Sequence, residues 1–149
     1  MNRYRMSMSW ITLLRWVDGL YFFWRGIYKM YTPTRVWLMP RVTQALPTTP
    51  LAPIIRTYIF PHVVVFGYAI GIIEIICGGL LVLARGGRVA PGVLVVLNTI
   101  FFLTLGFKEP HDMELNLLMG IMNLMFAFTF RRNIPKHPHA AQKTSSEAQ

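Results

Sequence analysis

Cysteine and acidic side chains are both scarce in this sequence of 149 residues. Cys77 is the sole cysteine, which excludes a disulfide within the chain and a paired-cysteine redox site. Asp and Glu together number 6, against 15 Lys and Arg. Most of the basic side chains flank apolar runs, as the positive-inside rule predicts for a membrane protein. We therefore attribute the net charge of +9 to membrane topology and not to nucleic-acid binding.

The sequence also lacks the common motifs of catalysis. It has no phosphate-binding loop, nucleophile elbow, zinc-binding helix motif or dinucleotide fingerprint. No histidine lies in the middle of an apolar run, so a haem held by two histidines is not indicated. What the chain does have is apolar length: 54% of its residues are hydrophobic, only 14% are charged, and the mean hydropathy is +0.43. This composition is typical of a polytopic membrane protein.

Four apolar runs predict an all-α, integral membrane four-helix bundle within residues 1–130. The expected spans are about 9–30, 58–84, 89–107 and 113–130, followed by a flexible polar tail at 131–149. With the N-terminus inside, eight basic residues lie on the inner side and four on the outer side. We therefore expect both termini on the inner, cytoplasmic side of the membrane. The inner set is Arg3, Arg5, Arg85, Arg88, Arg131, Arg132, Lys136 and Lys143, and the outer set is Arg35, Arg41, Arg56 and Lys108.

The segment from Tyr31 to Thr57 separates the first two spans and contains five prolines. Proline interrupts the backbone hydrogen bonding that a membrane helix requires, so a fifth span is excluded. The segment still carries Trp37 and several aliphatic side chains, which suits an ordered outer segment lying at headgroup depth. It is either a plain connector or a lid over a site between the helices.

The first span carries charges that a lipid-facing helix would not carry. At 100° per residue, Arg15, Asp18, Arg25 and Lys29 share one arc of about 120°, and the aromatic residues lie outside that arc. Charges within a membrane require partners, water or a ligand. We predict a buried ion network in which Arg15 pairs with Glu74 of the second span and Asp18 lies between Arg15 and Arg25. The network either fixes the helix register or forms a polar pocket or proton path.

Small residues mark the faces on which the helices are expected to pack. Gly67 and Gly71 share a face of the second span with Glu74, which predicts a close helix contact and an inward-facing carboxylate. The polar arc of the first span and one face of the fourth span also contain glycine. The residues predicted to pack are Gly19, Gly26, Gly67, Gly71, Gly78 and Gly120.

Two kinds of binding site deserve consideration. Phe22, Arg25 and Lys29 lie in the outer half of the first span and predict a positive pocket mouth for an anion, a quinone carbonyl or a lipid phosphate. Snorkelling to the membrane surface would by itself explain Lys29. A metal site formed by His62, His111 and Asp112 is only a weak candidate, because consecutive residues in a short turn rarely converge on one ion.

The spacing of residues Arg15, Gly19, Phe22, Gly26 and Lys29 resembles the first-helix signature of the DoxX/DoxD-like membrane proteins. Two further stretches are similar to that family: the acidic, glycine-rich run 71–79 and the polar entry to the last helix at 111–124. The resemblance covers roughly residues 13–130. Asp18, Arg25 and the long proline-rich segment depart from the usual pattern.

The resemblance implies a four-helix inner-membrane protein, similar in some members to the small membrane subunit of thiosulfate:quinone oxidoreductase. Such a chain is expected to contact membrane lipids and protein partners of a respiratory or electron-transfer complex. It carries no flavin motif or haem ligand pair, so we do not expect it to be catalytic alone. Two functions stay open: a redox-assembly subunit that binds quinone or lipid non-covalently, and a non-catalytic accessory subunit that packs against a larger complex.

Overall fold

The computed structural model describes the backbone of residues 3–105 and 110–129, with side chains from residue 10 onward within those ranges. The described part is all helical, as predicted, and it contains no strand. Lys108 and the polar tail at 131–149, for which the sequence predicted an outer position and a flexible cytoplasmic segment, lie outside the described residues.

Four long helices form the bundle. They are α1 (Arg3–Tyr31), α5 (Val63–Val82), α6 (Val89–Leu105) and α7 (Pro110–Thr129). Helix α5 packs along α1, α6 packs against α7, and α5 joins the two pairs through α6. Helix α5 begins at Val63, later than the apolar run that starts at Tyr58, because Pro61 cannot supply the backbone N–H that a continuous helix needs there.

The segment between α1 and α5 is folded and packs against the bundle. It contains α2 (Thr34–Trp37), α3 (Met39–Ala45), α4 (Ala52–Ile54) and a π-helical turn (Ile55–Ile59). Its apolar side chains join the core of the bundle, and the Thr49 hydroxyl donates a 2.7 Å hydrogen bond to the Leu103 carbonyl of α6. The segment is therefore attached to two of the long helices and does more than connect them. Its buried members are Thr34, Leu38, Val42, Ala45, Thr49 and Ile55.

Glycine allows the backbones of α1 and α5 to touch. A methyl group at Gly19 would lie 2.8 Å from the Gly78 carbonyl oxygen, and one at Gly26 would lie 2.6 Å from the Gly71 carbonyl oxygen. A side chain at either position would therefore separate the helices. Since the residue numbers of the two pairs run in opposite directions, α1 and α5 are antiparallel, with the middle of one beside the middle of the other.

The other two predicted packing glycines have different neighbours. A methyl group at Gly67 would collide with the Thr34 side chain, so this glycine accommodates α2 and not a long helix. Gly120 of α7 faces Asn98 of α6 at an ordinary contact distance of 3.7 Å for an added methyl group. Close backbone approach is thus specific to the contact between α1 and α5.

Charged and amide side chains are buried within the apolar core, and large apolar side chains cover much of the outer surface. Asp18, Glu74 and Asn123 have none of their surface exposed, whereas Trp24 is 70% exposed and Phe128 is 66% exposed. Soluble monomers seldom expose so much contiguous apolar surface. Large apolar side chains face outward on all four long helices, among them Trp16, Leu20, Val65, Ile72, Ile76, Val96, Ile100, Leu118 and Ile121.

One helix in the described part of the chain, α5, is long and apolar enough to qualify on its own as a membrane span. Helix α6 is apolar but has 17 residues. Helix α1 exceeds the needed length and carries the four predicted charges, and α7 carries Asp112 and Glu114 in its first turns. The composition of α5 is weak evidence for membrane association.

Candidate functional site: a cationic cavity beside a buried ion pair

A buried ion pair joins α1 and α5. The Lys29 ammonium donates a 2.5 Å hydrogen bond to Glu74 Oε1, and both side chains are almost wholly removed from the surface, at 5% and 0% exposure. Both charges are largely removed from solvent, so each depends on the other for stabilisation.

The predicted pairing of Glu74 with Arg15 is wrong, and helix geometry gives the reason. A helical side chain leans toward the N-terminus of its own helix. In the antiparallel pair, Lys29 leans back toward Gly26, and Glu74 leans toward Gly71, which is the residue that Gly26 touches. The two side chains therefore converge. Arg15 leans in the opposite direction, away from Glu74.

Snorkelling of Lys29 to the surface is also wrong, since its ammonium group is buried. It lies 5.1 Å from the ring centroids of both Trp37 and Phe101. Cation–π contact with two rings adds to the stabilisation that Glu74 supplies. Lys29 is thus enclosed by one carboxylate and two aromatic faces contributed by three different elements.

The remaining members of the predicted ion network do not join this pair. Asp18 accepts a 3.4 Å hydrogen bond from the Asn123 side chain of α7, and its other carboxylate oxygen has no hydrogen-bond partner in the described part of the chain. Arg25 donates a 3.1 Å hydrogen bond to the Tyr21 hydroxyl. The prediction placed Asp18 between Arg15 and Arg25, but Asp18 and Arg25 each contact a different residue. The polar interior is divided into an Asp18 contact deep in the bundle and the Lys29–Glu74 pair nearer the end of α1.

A cavity of about 590 Å³ opens beside the ion pair. Its walls come from the last turns of α1, from α2 and α3, and from the end of α6. Two cations predicted from the sequence, Arg25 and Lys29, line it, and Phe22 does not, because Phe22 is buried in the core. The other lining residues are Tyr28, Val36, Trp37, Pro40, Arg41, Gln44, Phe101 and Leu105.

Arg41 is the charged wall residue that the sequence analysis did not assign to the site. It lies on α3, and its guanidinium Nη1 is 3.7 Å from Asp112 Oδ2 at the start of α7. This loose ion pair connects the segment over the cavity with the opposite side of the bundle. The sequence signal was available, because Arg41 is a basic residue in a segment predicted to lie next to Arg25 and Lys29, but only the fold of α3 shows which way it turns.

The weak metal candidates do not come together. No cluster of three or more potential metal ligands occurs in residues 3–105 and 110–129. Asp112 is taken up by Arg41, His111 is exposed, and His62 precedes α5 beside a separate surface cavity of about 420 Å³ that Arg35 also lines. That second cavity contains no buried polar group, which makes it the weaker candidate for a specific site.

Comparison of the chain with models of protein families, with curated proteins and with solved structures finds no match.

Proposed function

We propose that the chain is an integral membrane protein in which α1, α5, α6 and α7 all cross a bacterial-type cell membrane, with both termini in the cytoplasm. The burial of charged side chains together with the apolar outer surface supports this proposal. Asp18, Lys29 and Glu74 find partners in the interior, while the outer surface is aliphatic and aromatic. In lipid the intramembrane charges must face the bundle interior, and exposed apolar side chains cost nothing.

Within the membrane, the proposed role is that of a DoxX-like subunit of a quinone-linked redox assembly. The cavity beside Lys29 and Glu74 carries this proposal. Its volume of about 590 Å³ is within the range of small-molecule sites, and it combines aromatic walls with a few convergent polar groups. Trp37 and Phe101 offer flat faces for a ring, and Arg25 and Lys29 offer donors for a carbonyl oxygen. A lipid headgroup is the other ligand of this kind that the cavity fits.

The subunit would not transfer electrons alone. The chain has one cysteine, so it cannot form a redox-active cysteine pair. The described part of the chain has no cluster of three or more potential metal ligands. Its proposed contribution is to bind the quinone headgroup next to an electron-carrying partner protein. The partner would supply the redox cofactor.

The alternative is a non-catalytic accessory subunit that packs against a larger membrane complex. The contact surface would be the outward-facing aromatic side chains of α1, with Trp16 50%, Trp24 70% and Tyr28 57% exposed. Aromatic side chains are enriched at protein interfaces, and they also anchor helices in lipid, so this surface serves either role.

Quinone content tests the proposed function. The protein purified in detergent should retain extractable quinone, and Arg25→Leu should lower that content while the protein stays folded and monodisperse. Arg35→Leu is the matched control, because Arg35 lies outside the cavity. Unchanged quinone content in a well-folded Arg25→Leu protein would eliminate the proposed site. Absence of quinone together with recovery of the chain only as part of a large complex would favour the accessory role.

A further inference from the structure

The charges around the cavity do not balance, and the imbalance is located at one residue. Three cations line the cavity: Arg25, Lys29 and Arg41. Lys29 is neutralised by Glu74 at 2.5 Å, and Arg41 is neutralised in part by Asp112 at 3.7 Å. Among the residues that the structure describes, two negative charges against three positive charges leave one positive charge unpaired.

The excess charge belongs to Arg25. No carboxylate forms an ion pair with it in the part of the chain that the structure describes. Its described contacts are with neutral groups: the Tyr21 hydroxyl at 3.1 Å, the Tyr21 ring at 5.4 Å and the Phe101 ring at 6.0 Å. The side chain is partly buried and one helical turn from the Lys29 ammonium, so a like charge is its nearest charged neighbour along α1.

A guanidinium in this position favours a ligand that brings a negative charge. Arginine presents five donors in a planar fork, and the single bond to Tyr21 leaves most of them unused by side chains described here. A guanidinium makes a charge-assisted hydrogen bond to any acceptor, and an anionic oxygen adds the attraction of an ion pair that a neutral carbonyl does not supply. An uncharged quinone would use the donors of Arg25 but would leave its charge without a counter-ion.

We infer that the cavity selects a headgroup that carries one negative charge on oxygen, borne on a flat ring or another apolar body, and that Arg25 is the residue that meets this charge. The inference rests on the proposed function, because it names the charge state of the ligand of the same cavity. Ionised hydroxyquinones and quinol anions are the redox ligands with this chemistry. A fatty-acid carboxylate is the lipid ligand that shares it.

The geometry assigns separate roles to the three cations. Lys29 is held by Glu74 and by two ring faces, so its charge is neutralised before any ligand enters, although its remaining N–H donors can still bond a neutral oxygen. Arg41 is 53% exposed and loosely paired, which leaves it free to contribute at the mouth. Arg25 also lines the cavity and has no carboxylate partner among the described residues, so the discrimination between charged and neutral ligands should depend on Arg25.

A matched pair of probes tests the inference on the full chain purified in detergent. The first probe is a 3-alkyl-2-hydroxy-1,4-naphthoquinone, whose hydroxyl is ionised at neutral pH, and the second is its uncharged 2-methoxy ether. Equilibrium dialysis gives the ratio of their affinities. Comparing this ratio between variants removes the difference in partition into detergent.

The wild-type protein should bind the hydroxyquinone about tenfold more tightly than the ether, as expected for one hydrogen bond to a charged group. Arg25→Gln keeps a donor but removes the charge. This variant should bind the two probes with about equal affinity. Arg25→Lys should retain most of the preference. Arg35→Gln should leave it unchanged, since Arg35 lies outside the cavity.

The other outcomes separate this inference from the proposed function. Equal binding of both probes to the wild-type protein would overturn the charge selection while leaving the quinone site intact. Binding of neither probe would overturn the proposed quinone ligand. If dodecanoate binds with the same dependence on Arg25 and neither naphthoquinone competes with it, the charge selection holds and the ligand is a lipid carboxylate.

Discussion

Removing the charge of Glu74 should destabilise the bundle more than any other carboxylate substitution in the described part of the chain. Glu74→Gln is nearly isosteric, so it changes the charge and leaves the packing in place. It would strand the Lys29 ammonium, whose side chain is only 5% exposed and whose sole carboxylate partner in the described residues is Glu74. The perturbation therefore isolates the electrostatic part of the contact.

The expected magnitude follows from burial. Removing one partner of a buried pair costs about 3–5 kcal/mol, because the other charge stays desolvated without compensation. The glutamine carbonyl can still accept a hydrogen bond from Lys29, so we expect the lower end, about 3 kcal/mol. For a chain of this length, that corresponds to a decrease in Tm of about 6–12 °C.

Thermal unfolding in detergent, followed by circular dichroism, measures the effect. Glu114→Gln is the matched control, since Glu114 is exposed on α7 and an exposed substitution changes the stability by less than about 0.5 kcal/mol. The double variant Lys29→Met, Glu74→Leu should recover most of the loss, because an apolar pair of similar volume removes both desolvated charges. Equal Tm values for Glu74→Gln and Glu114→Gln would refute the reasoning.

Two further predictions concern helix packing and topology. Gly78→Ala should lower the Tm in detergent by several degrees, corresponding to about 1–3 kcal/mol, because the added methyl group would lie 2.6 Å from backbone atoms of α1. The control is Gly92→Ala, which should be neutral or slightly stabilising because Gly92 has open space around it. Equal losses of stability in the two variants would contradict the close helix contact. Cysteines introduced at Thr48 and Ser145 should be labelled by a membrane-impermeant reagent from opposite sides of the membrane, and labelling of both from one side would disprove the four-span topology.

Much of the fold was predictable because it depends on local patterns. Apolar runs and prolines predicted an all-helical chain with four long helices and a broken segment between the first two. The glycines of α1 and α5 were visible in the sequence as small residues on the charged or acidic face of each helix. Such patterns indicate which face of a helix is packed. The sequence of that one helix is enough to show this.

The partners of the buried charges were not predictable in the same way. Arg15 was chosen as the partner of Glu74 from the approximate depth of each residue in the membrane. The contact of Gly26 with Gly71 fixes the register of α1 against α5 to within one residue. With that register, Glu74 lies level with Phe23, and Lys29 is six residues away along α1, about 9 Å, against about 12 Å for Arg15. The direction in which side chains lean then decides between the two. A register deduced from the glycines first would have favoured Lys29.

The cavity could not be predicted from the sequence patterns, because it depends on how separate elements pack together. Its walls combine α1, α3 and α6, and the position of α3 depends on how a proline-rich segment folds back onto the bundle. Arg41 and Phe101 are 60 residues apart in the chain and line the same space. Single-helix periodicity could identify Arg25 and Lys29 as members of a polar face, but it could not indicate what lies opposite that face.

The two roles proposed for the end of α1, helix packing and ligand binding, should therefore be separable by substitution. Gly26 brings α5 close enough for Lys29 to reach Glu74, and the resulting pair, together with Trp37 and Phe101, forms a neutral and rigid side of the cavity. Because Lys29 is neutralised, it cannot supply the electrostatic attraction for a ligand. That attraction is left to Arg25, one turn earlier, so loss of Glu74 should appear mainly in stability and loss of Arg25 mainly in ligand binding.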